Sequence, residues 1–348
     1  MFILSKYVIH IEYLIMKKDI LKMLRSAGDK PVSGQSLCEM FGVTRQAVWK
    51  NISQLKECGY EIESVSNRGY KLISEPDILY GPDIESRMSE DCICKAVECH
   101  DSIDSTNTRA KQLAEEDAVE GTLVVSDRQT AGKGRRGRKW DSESGVGIYM
   151  SLILRPSVSP VKVSGLTLIS ALALAEAIKE VCGVSPQIKW PNDIVLGKKK
   201  ICGILTEMSS EMNFIHYAVV GIGINANTEL FPEEISKKAS SIMLESGNRV
   251  DRAELIAKTM EIFGGYYKKF LEAESLAPFI EKYDSMLANK DNEVQILYGM
   301  AEDADRSKIE YGTAKGIDCE GALIVETEHG VRNIVSGEVS VRGIDGYV

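Results

Sequence analysis

The first apolar positions to repeat with a helical period are Ile20, Leu21, Met23 and Leu24, which predict a helix with one buried stripe. Ser33 is suited to cap a second, short helix on which Leu37, Met40 and Phe41 face inward, and Gly42 supplies the turn. Thr44 caps a third helix, expected to run to about Cys58 and to stop at Gly59. Val48, Ile52 and Leu55 share one face of it; Arg45, Gln46, Trp49, Lys50 and Ser53 share the other. The period then falls to two around Ile62 and Val65. Asn67-Arg68-Gly69 signals a turn, and Tyr70-Lys71-Leu72 returns as a second strand.

Helices followed by a hairpin read as a winged helix-turn-helix over residues 17–75. A short helix, a glycine turn and a helix with a polar N-terminal face is the arrangement that enters the DNA major groove. Within Gly34 to Ser53, Arg45 and Gln46 can reach base edges, Lys50 a phosphate, and Trp49 lies beside them. A small helical domain for protein contact fits the same pattern. Pro76 and Gly81-Pro82 mark a linker.

Further on, Thr122–Val125 and Gly147–Leu154 read as buried strands. Residues 165–182 read as a helix with Leu168, Leu172, Ala175 and Ile178 on one side. Ile188 and Ile194-Val195-Leu196 flank Pro191-Asn192-Asp193, predicting a hairpin that continues through Lys200–Glu207. From Glu293 onward, short strands alternate with turns such as Tyr311-Gly312, Glu320-Gly321 and Gly343-Ile344.

The length of 348 residues suits two or three domains, and 44% hydrophobic with 27% charged residues is ordinary for a globular chain. The net charge of −9 argues against a protein that coats nucleic acid uniformly. Residues 17–75, however, hold ten Lys/Arg against seven Asp/Glu, a mildly basic head on an acidic body. Eight cysteines contain no C-x-x-C pair and read as reduced thiols of a cytoplasmic protein. Cys92, Cys94, Cys99 and His100 cluster, but their spacing matches no common zinc pattern. The apolar first fifteen residues are broken by Lys6, His10 and Glu12, and Met16-Lys17-Lys18-Asp19 reads like a natural start. Residues 1–16 are therefore expected to be an extension, and no membrane segment is expected.

Candidate chemistry gathers at four places. Six basic residues and no acidic one lie between Arg128 and Lys139, interleaved with Gly132, Gly134 and Gly137. Such a loop can approach a polyanion closely, or it can simply be solvated. Its G-x-G-x-x-G text is not a dinucleotide fingerprint, because a strand rather than a helix follows. Lys189 is a lone cation among Ile188, Trp190 and Pro191, and it needs an anion, either a carboxylate of the protein or a ligand. Asp104-Ser105-Thr106-Asn107 can cap a helix and also offer N–H groups and hydroxyls to a ligand. Gly221-Ile222-Gly223-Ile224-Asn225 ends a strand with two glycines, a sign of close approach.

Taken in order, Ser105-Thr106-Asn107, Gln129, the loop from Gly132 to Arg138, Lys189-Trp190-Pro191-Asn192-Asp193 and Gly221–Asn225 resemble the bifunctional biotin–protein ligase and biotin operon repressor family. Gly321-Ala322-Leu323 and Ser336-Gly337-Glu338-Val339-Ser340 extend the resemblance, which spans nearly everything after residue 17. It implies an α+β protein: the winged helix-turn-helix, a central mixed α/β catalytic domain over 76–291, and an SH3-like β-barrel over 292–348. It also implies a biotin ring beside Ser105, Thr106, Asn107 and Gln129. Lys133, Gly134 and Arg135 would fold over the biotinyl group and phosphate. Lys189 would hold the biotin carboxylate and then the adenylate phosphate, forming with Arg135 the catalytic pair. Arg138, Trp140 and Asn225 would lie on the adenylate side. Lys133 stands where many members carry arginine, which keeps the charge but loses the bidentate fork.

The implied substrates are biotin and ATP with Mg2+, and no protein-bound metal site is expected. The implied partners are the biotin carboxyl carrier protein of acetyl-CoA carboxylase or another biotin-dependent carboxylase, operator DNA, and a second copy of the chain once biotinyl-5′-AMP is bound. Two rivals remain at this point. A lipoate ligase or octanoyltransferase shares the catalytic fold but not the head or the Gly-Arg loop. A regulator that senses the adenylate without ligating would not need Lys189 and Arg135 intact.

Overall fold

Residues 16–27 form a helix (α1), followed by α2 (Gly34–Phe41) and α3 (Arg45–Glu57). This is a computed structural model, and it describes residues 16–298, 309–336, 339–343 and 347. Of residues 1–16, expected as an extension, Met16 begins α1 and 1–15 lie outside the described residues, as do Gly337, Glu338 and Ile344 of the C-terminal motifs. Ser33 and Thr44 cap their helices as expected, with the Thr44 hydroxyl accepting from Ala47 N at 3.3 Å. Ile20, Leu21, Leu24, Leu37, Val48, Ile52 and Leu55 form one core. The wing is an antiparallel hairpin of β1 (Glu61–Val65) and β2 (Gly69–Ser74). Only glycine fits at 69, because a Cβ there would lie 1.9 Å from Val32 O.

The chain divides into two compact units, residues 1–90 and 91–348. The stretch from Pro76 that reads as a linker is instead part of the head. Gly81-Pro82 opens a short helix, α4 (Gly81–Ser86), and Asp83 is buried on it. Arg25 of α1 binds Glu75 and Asp83, and Arg87 reaches both carboxylates at 3.1 Å. A buried carboxylate needs such partners, and they fasten the segment to α1. Turn residues mark a chain reversal equally well whether the next segment leaves or packs down.

The second unit is built on a seven-stranded sheet. Its strands are β3 (Ala96–His100), β4 (Thr122–Ser126), β5 (Ile148–Leu154), β6 (Gln187–Lys189), β7 (Asp193–Leu196), β8 (Lys199–Glu211) and β9 (Phe214–Ile224), in the order β3-β4-β5-β9-β8-β7-β6. Only the β3–β4 pair is parallel. Side chains alternate along a strand. Thr206 meets Thr167 of α6 (Ser164–Cys182), whereas Glu207 meets Asn107 and Lys111 of α5 (Thr106–Glu115). So α5 and α6 cover opposite faces. The short helices α7 (Glu233–Ser236) and α8 (Ile242–Ser246) precede α9 (Arg252–Ala273), which packs on α6. The apolar helix α6 is thus a core element.

After α10 (Ile280–Met286), five strands form a small antiparallel sheet in the order β13-β12-β11-β10-β14. They are β10 (Glu293–Tyr298), β11 (Ile309–Ile317), β12 (Leu323–Thr327), β13 (Gly330–Ile334) and β14 (Val339–Gly343). Trp190, fully buried, donates its indole N–H to Gly321 O at 3.0 Å, and Asn289 Oδ1 accepts from Trp190 N. The turn after β6 is therefore fixed from both sides, and Gly321 has a structural task.

Candidate active site

Period-two alternation leaves Gly203, Leu205 and Glu207 of β8 on the α5 face, beside Gly221 and Gly223 of β9 and Ser151 of β5. Where α5 begins, that face opens into a cleft of about 450 Å3. Ser105, Thr106, Asn107, Gln129, Lys133, Gly134, Arg135, Trp140, Asn192 and Lys200 contribute to its walls.

One wall is polar and buried. Ser105 caps α5 through Thr108 N, so Thr106 and Asn107 occupy its first turn. Thr106 N donates to Gln129 Oε1 at 2.8 Å, and Thr106 Oγ1 lies 3.1 Å from the same oxygen. Ser151 Oγ lies 2.8 Å from Thr106 Oγ1 and 2.6 Å from Asn107 Oδ1. Asn107 Nδ2 donates to Glu207 Oε2 at 2.7 Å. Gly221 makes this possible, since a Cβ there would lie 2.0 Å from Asn107 Oδ1.

A second wall is aromatic. Gly203 and Gly223 are cross-strand partners, and the Trp140 indole lies against both. A Cβ at 223 would come within 2.6 Å of the ring. Trp140 Nε1 is buried with no hydrogen-bond partner among the described residues. Buried N–H groups are rarely left so, which marks a place for a ligand acceptor. Lys200 Nζ sits 5.3 Å from the Trp140 ring centroid and 2.6 Å from Asp193 Oδ1.

The basic loop forms the roof. Gly134 N donates to Arg138 O, Trp140 N to Gly132 O, and Lys133 and Lys139 form a bridge, so its stem is a small hairpin. Gly132 is required there, because a Cβ would lie 2.5 Å from Trp140 O. Arg135 reaches down and donates from Nη1 to Asn192 Oδ1 at 2.8 Å. Burial lowers the Arg135 pKa from its usual value, and the neighbouring Arg136 and Arg138 add to this against the pull of Asp193. At the loop's base, buried Arg252 binds Asp127 at 2.7 Å and Gly147 O at 3.0 Å, and the Asp127 carboxylate accepts from Gly145 N at 2.8 Å.

The structure thus brings together Ser105, Thr106, Asn107, Gln129, Lys133, Gly134, Arg135 and Trp140, and leaves three expected residues out of the lining. Lys189 is buried beside the cleft with its Nζ 3.5 Å from the Tyr347 ring centroid. Asn225 spends its side-chain amide on Ser240 O at 3.0 Å, holding the following loop. Arg138 is exposed, and its backbone carbonyl closes the loop stem. Among the residues that sequence reading missed, Ser151 did carry a signal: it is the one hydroxyl in the apolar run Ile148–Leu154 apart from Tyr149. Lys200 carried none, because it ends a run of lysines that reads as a solvated turn. In the head, Gln46, Trp49 and Lys50 are exposed on one face of α3, and Arg45 Nη2 donates to Gln35 Oε1 at 3.0 Å.

Three family models match segments of the chain. Residues 17–71 match the HTH domain family, 99–225 the biotin/lipoate A/B protein ligase family, and 296–342 the biotin protein ligase C-terminal domain. The bifunctional ligase/repressor BirA of Bacillus subtilis is 37% identical over 94% of this chain and 98% of its own length. The protein of the same name from Escherichia coli is 29% identical over 90% and 94%. The solved structure of the Aquifex aeolicus biotin protein ligase in complex with biotin and ATP superposes with a TM-score of 0.62 at 33% identity, covering 72% of this chain and 99% of that one.

Proposed function

Because the chain belongs to the bifunctional biotin–protein ligase and repressor family, we propose that it activates biotin with ATP in this cleft, passes biotin to a carrier protein and represses biotin genes from its head. The observation that carries the reading is the Arg135–Asn192 contact. It joins the basic loop to the turn that follows Lys189, over a cleft with one buried polar wall and one flat indole.

In the first step a biotin carboxylate oxygen attacks the α-phosphorus of ATP, and the bond to pyrophosphate breaks. Both reactants are anions, so the chain's task is to hold them together and stabilise added charge. Ser105, Thr106, Asn107 and Gln129 take the biotin ring. Arg135 and Lys133 lie over the phosphate, Lys200 faces it from the strand side, and Lys189 takes the carboxylate oxygens once Tyr347 yields its place. Trp140 offers a face to adenine and its Nε1–H to an acceptor. In the second step a carrier lysine amine attacks the acyl carbon, the bond to AMP breaks, and the amine loses a proton as the amide forms. Mg2+ arrives with ATP. Among the described residues no group of three His, Cys, Asp or Glu could hold a metal ion.

The loop roof excludes water from the mixed anhydride. Its closure orders a surface for a second copy, so the adenylate acts as corepressor and a dimer presents two α3 helices to a palindromic operator. These roles belong in the cytoplasm, with a carboxylase carrier domain as acceptor. The reading is tested by supplying labelled biotin or lipoate with Mg-ATP and a carrier peptide, and by operator binding with and without biotin and ATP. Lipoate in preference to biotin, or equal operator affinity in both states, would remove it.

A further inference from the structure

We propose that Arg252 is a positioning residue for the phosphate site. With Asp127 it ties the foot of the basic roof to the foot of a second loop, residues 228–249, which holds Lys200, so that Arg135 over the cleft and Lys200 beside it respond together. This rests on the biotin and ATP reading above and goes further, to what links the two sides of the site.

Arg252 stands where an arginine is doubly disfavoured. It is 1% exposed, and it lies in the first turn of α9, at the positive end of that helix's dipole. Its contacts account for the place. Nη1 donates to Asp127 Oδ1 at 2.7 Å and to Gly147 O at 3.0 Å. Asp127 Oδ2 accepts from Gly145 N at 2.8 Å and from the Ser144 hydroxyl. Asp127 precedes the roof segment and Ser144-Gly145 follow it, so this carboxylate closes the roof at both ends. Burial would raise the Asp127 pKa, but hydrogen bonds from Ser144, Arg252 and Gly145 and the Arg252 charge outweigh burial and hold it below the usual value.

The second loop is closed at the same place. Asn227, fully buried, donates from Nδ2 to Val250 O at 3.0 Å and accepts at Oδ1 from Val250 N at 2.8 Å, so the two residues form a neck. Asn227 N donates to Val146 O at 2.7 Å, next to the Gly147 carbonyl that Arg252 holds. Between its ends the loop grips the start of β8. Lys200 N donates to Lys238 O at 2.8 Å and Ser240 N to Lys200 O at 2.9 Å, while Asn225 Nδ2 donates to Ser240 O. Arg135 and Lys200 both line the cleft. A ligand that draws the roof down therefore acts, through Asp127 and Arg252, on the loop that sets the backbone of Lys200. Arg252→Met cuts this link selectively, because Asp127 keeps Ser144 and Gly145 and the Asn227 neck stays closed.

The test uses the full chain and α,β-methylene-ATP, whose methylene bridge cannot be broken to release pyrophosphate. Calorimetry gives its affinity with and without saturating biotin for the natural protein, Arg252→Met and Arg252→Lys. The ratio of the two affinities is the coupling between the sites, and an unfolded fraction of the sample does not alter it. In the natural protein biotin is expected to strengthen nucleotide binding about tenfold or more. R252M should cut that ratio about fivefold or more, while its affinity for biotin alone stays within about twofold. R252K, which reaches Asp127 without the planar fork, should fall between the two. The inference is overturned if folded R252M keeps the natural ratio, if it weakens biotin alone as much as nucleotide, or if the natural ratio is near one. Should R252M not fold, R252K decides: a ratio reduced about twofold or more supports the inference, and the natural ratio overturns it. A natural protein that does not bind biotin would remove the biotin reading, and this inference with it.

Discussion

Arg135 donates to Asn192 Oδ1 at 2.8 Å and so pins the glycine loop to the turn that follows Lys189. Asn192 in turn donates from Nδ2 to Ile204 O at 3.0 Å, which makes it a fixed post. Asn192→Ala removes the post and leaves the loop's own stem intact. The expected outcome is biotinyl-adenylate that forms near the normal rate but is lost to water or to free amines several times faster, measured as AMP release without a carrier protein. A loss rate equal to wild type would mean that the loop is held by its stem alone.

The Tyr347 ring lies against the buried Lys189 ammonium, with its centroid 3.5 Å from Nζ, and its hydroxyl binds the Asp193 carboxylate. A cation–π contact to a desolvated cation is worth about 2 kcal/mol, so if the ring competes with an anion, Tyr347→Ala should lower the KM for biotin or ATP by up to about thirtyfold, with kcat little changed. A raised KM would show that the ring serves as a wall of the loaded site.

At Gly221 the available space is set by Asn107. A Cβ would lie 2.0 Å from Oδ1 and 2.8 Å from Cγ, and β9 is a central strand that cannot easily shift. Gly221→Ala should fold, with a stability cost of about 1–3 kcal/mol by overpacking, and should raise the biotin KM at least about tenfold while the ATP KM holds. Thermal unfolding and the two KM values decide this; a variant with normal biotin KM would show that Asn107 can move without harm.

In the head, Arg45 is partly committed to Gln35, so we propose Gln46 as the reader of a base and Lys50 as the phosphate contact. Gln46→Ala should relax preference at one operator position by about 1–3 kcal/mol. Lys50→Ala should weaken all sequences alike and reduce the salt slope by about one. The reverse pattern in a salt titration would exchange the two roles.

Much of this was legible in the sequence because periodicity and capping are local. Ser33, Thr44 and Gly42 placed the head's helices, the strand after the glycine loop ruled out a dinucleotide site, and the apolar residues around Pro191-Asn192 gave the hairpin. What was not legible depends on registers between distant segments. The pairing of Gly203 with Gly223 creates the seat for Trp140, and neither glycine announces it alone. Glu207 looks like any charge near a strand end until the sheet turns it toward α5. The Pro76–Ser86 stretch has the composition of a linker, and the Arg25–Asp83 pairing, with Ile78 and Tyr80 packed on the head core, makes it part of the head. Lys189 was legible as a buried cation in need of a partner, but not as one whose neighbour would be an aromatic ring from the C-terminus.

The central claim is that this cleft, with Lys189 beside its roof, makes an acyl-adenylate and delivers it to a carrier lysine. Mass spectrometry of a biotin carboxyl carrier domain, incubated with biotin, Mg-ATP and either the natural protein or its Lys189→Gln variant, reads this directly. A single added biotin with the natural protein and none with a folded K189Q is the expected result. An unmodified carrier with the natural protein, or equal biotinylation by both, would contradict it.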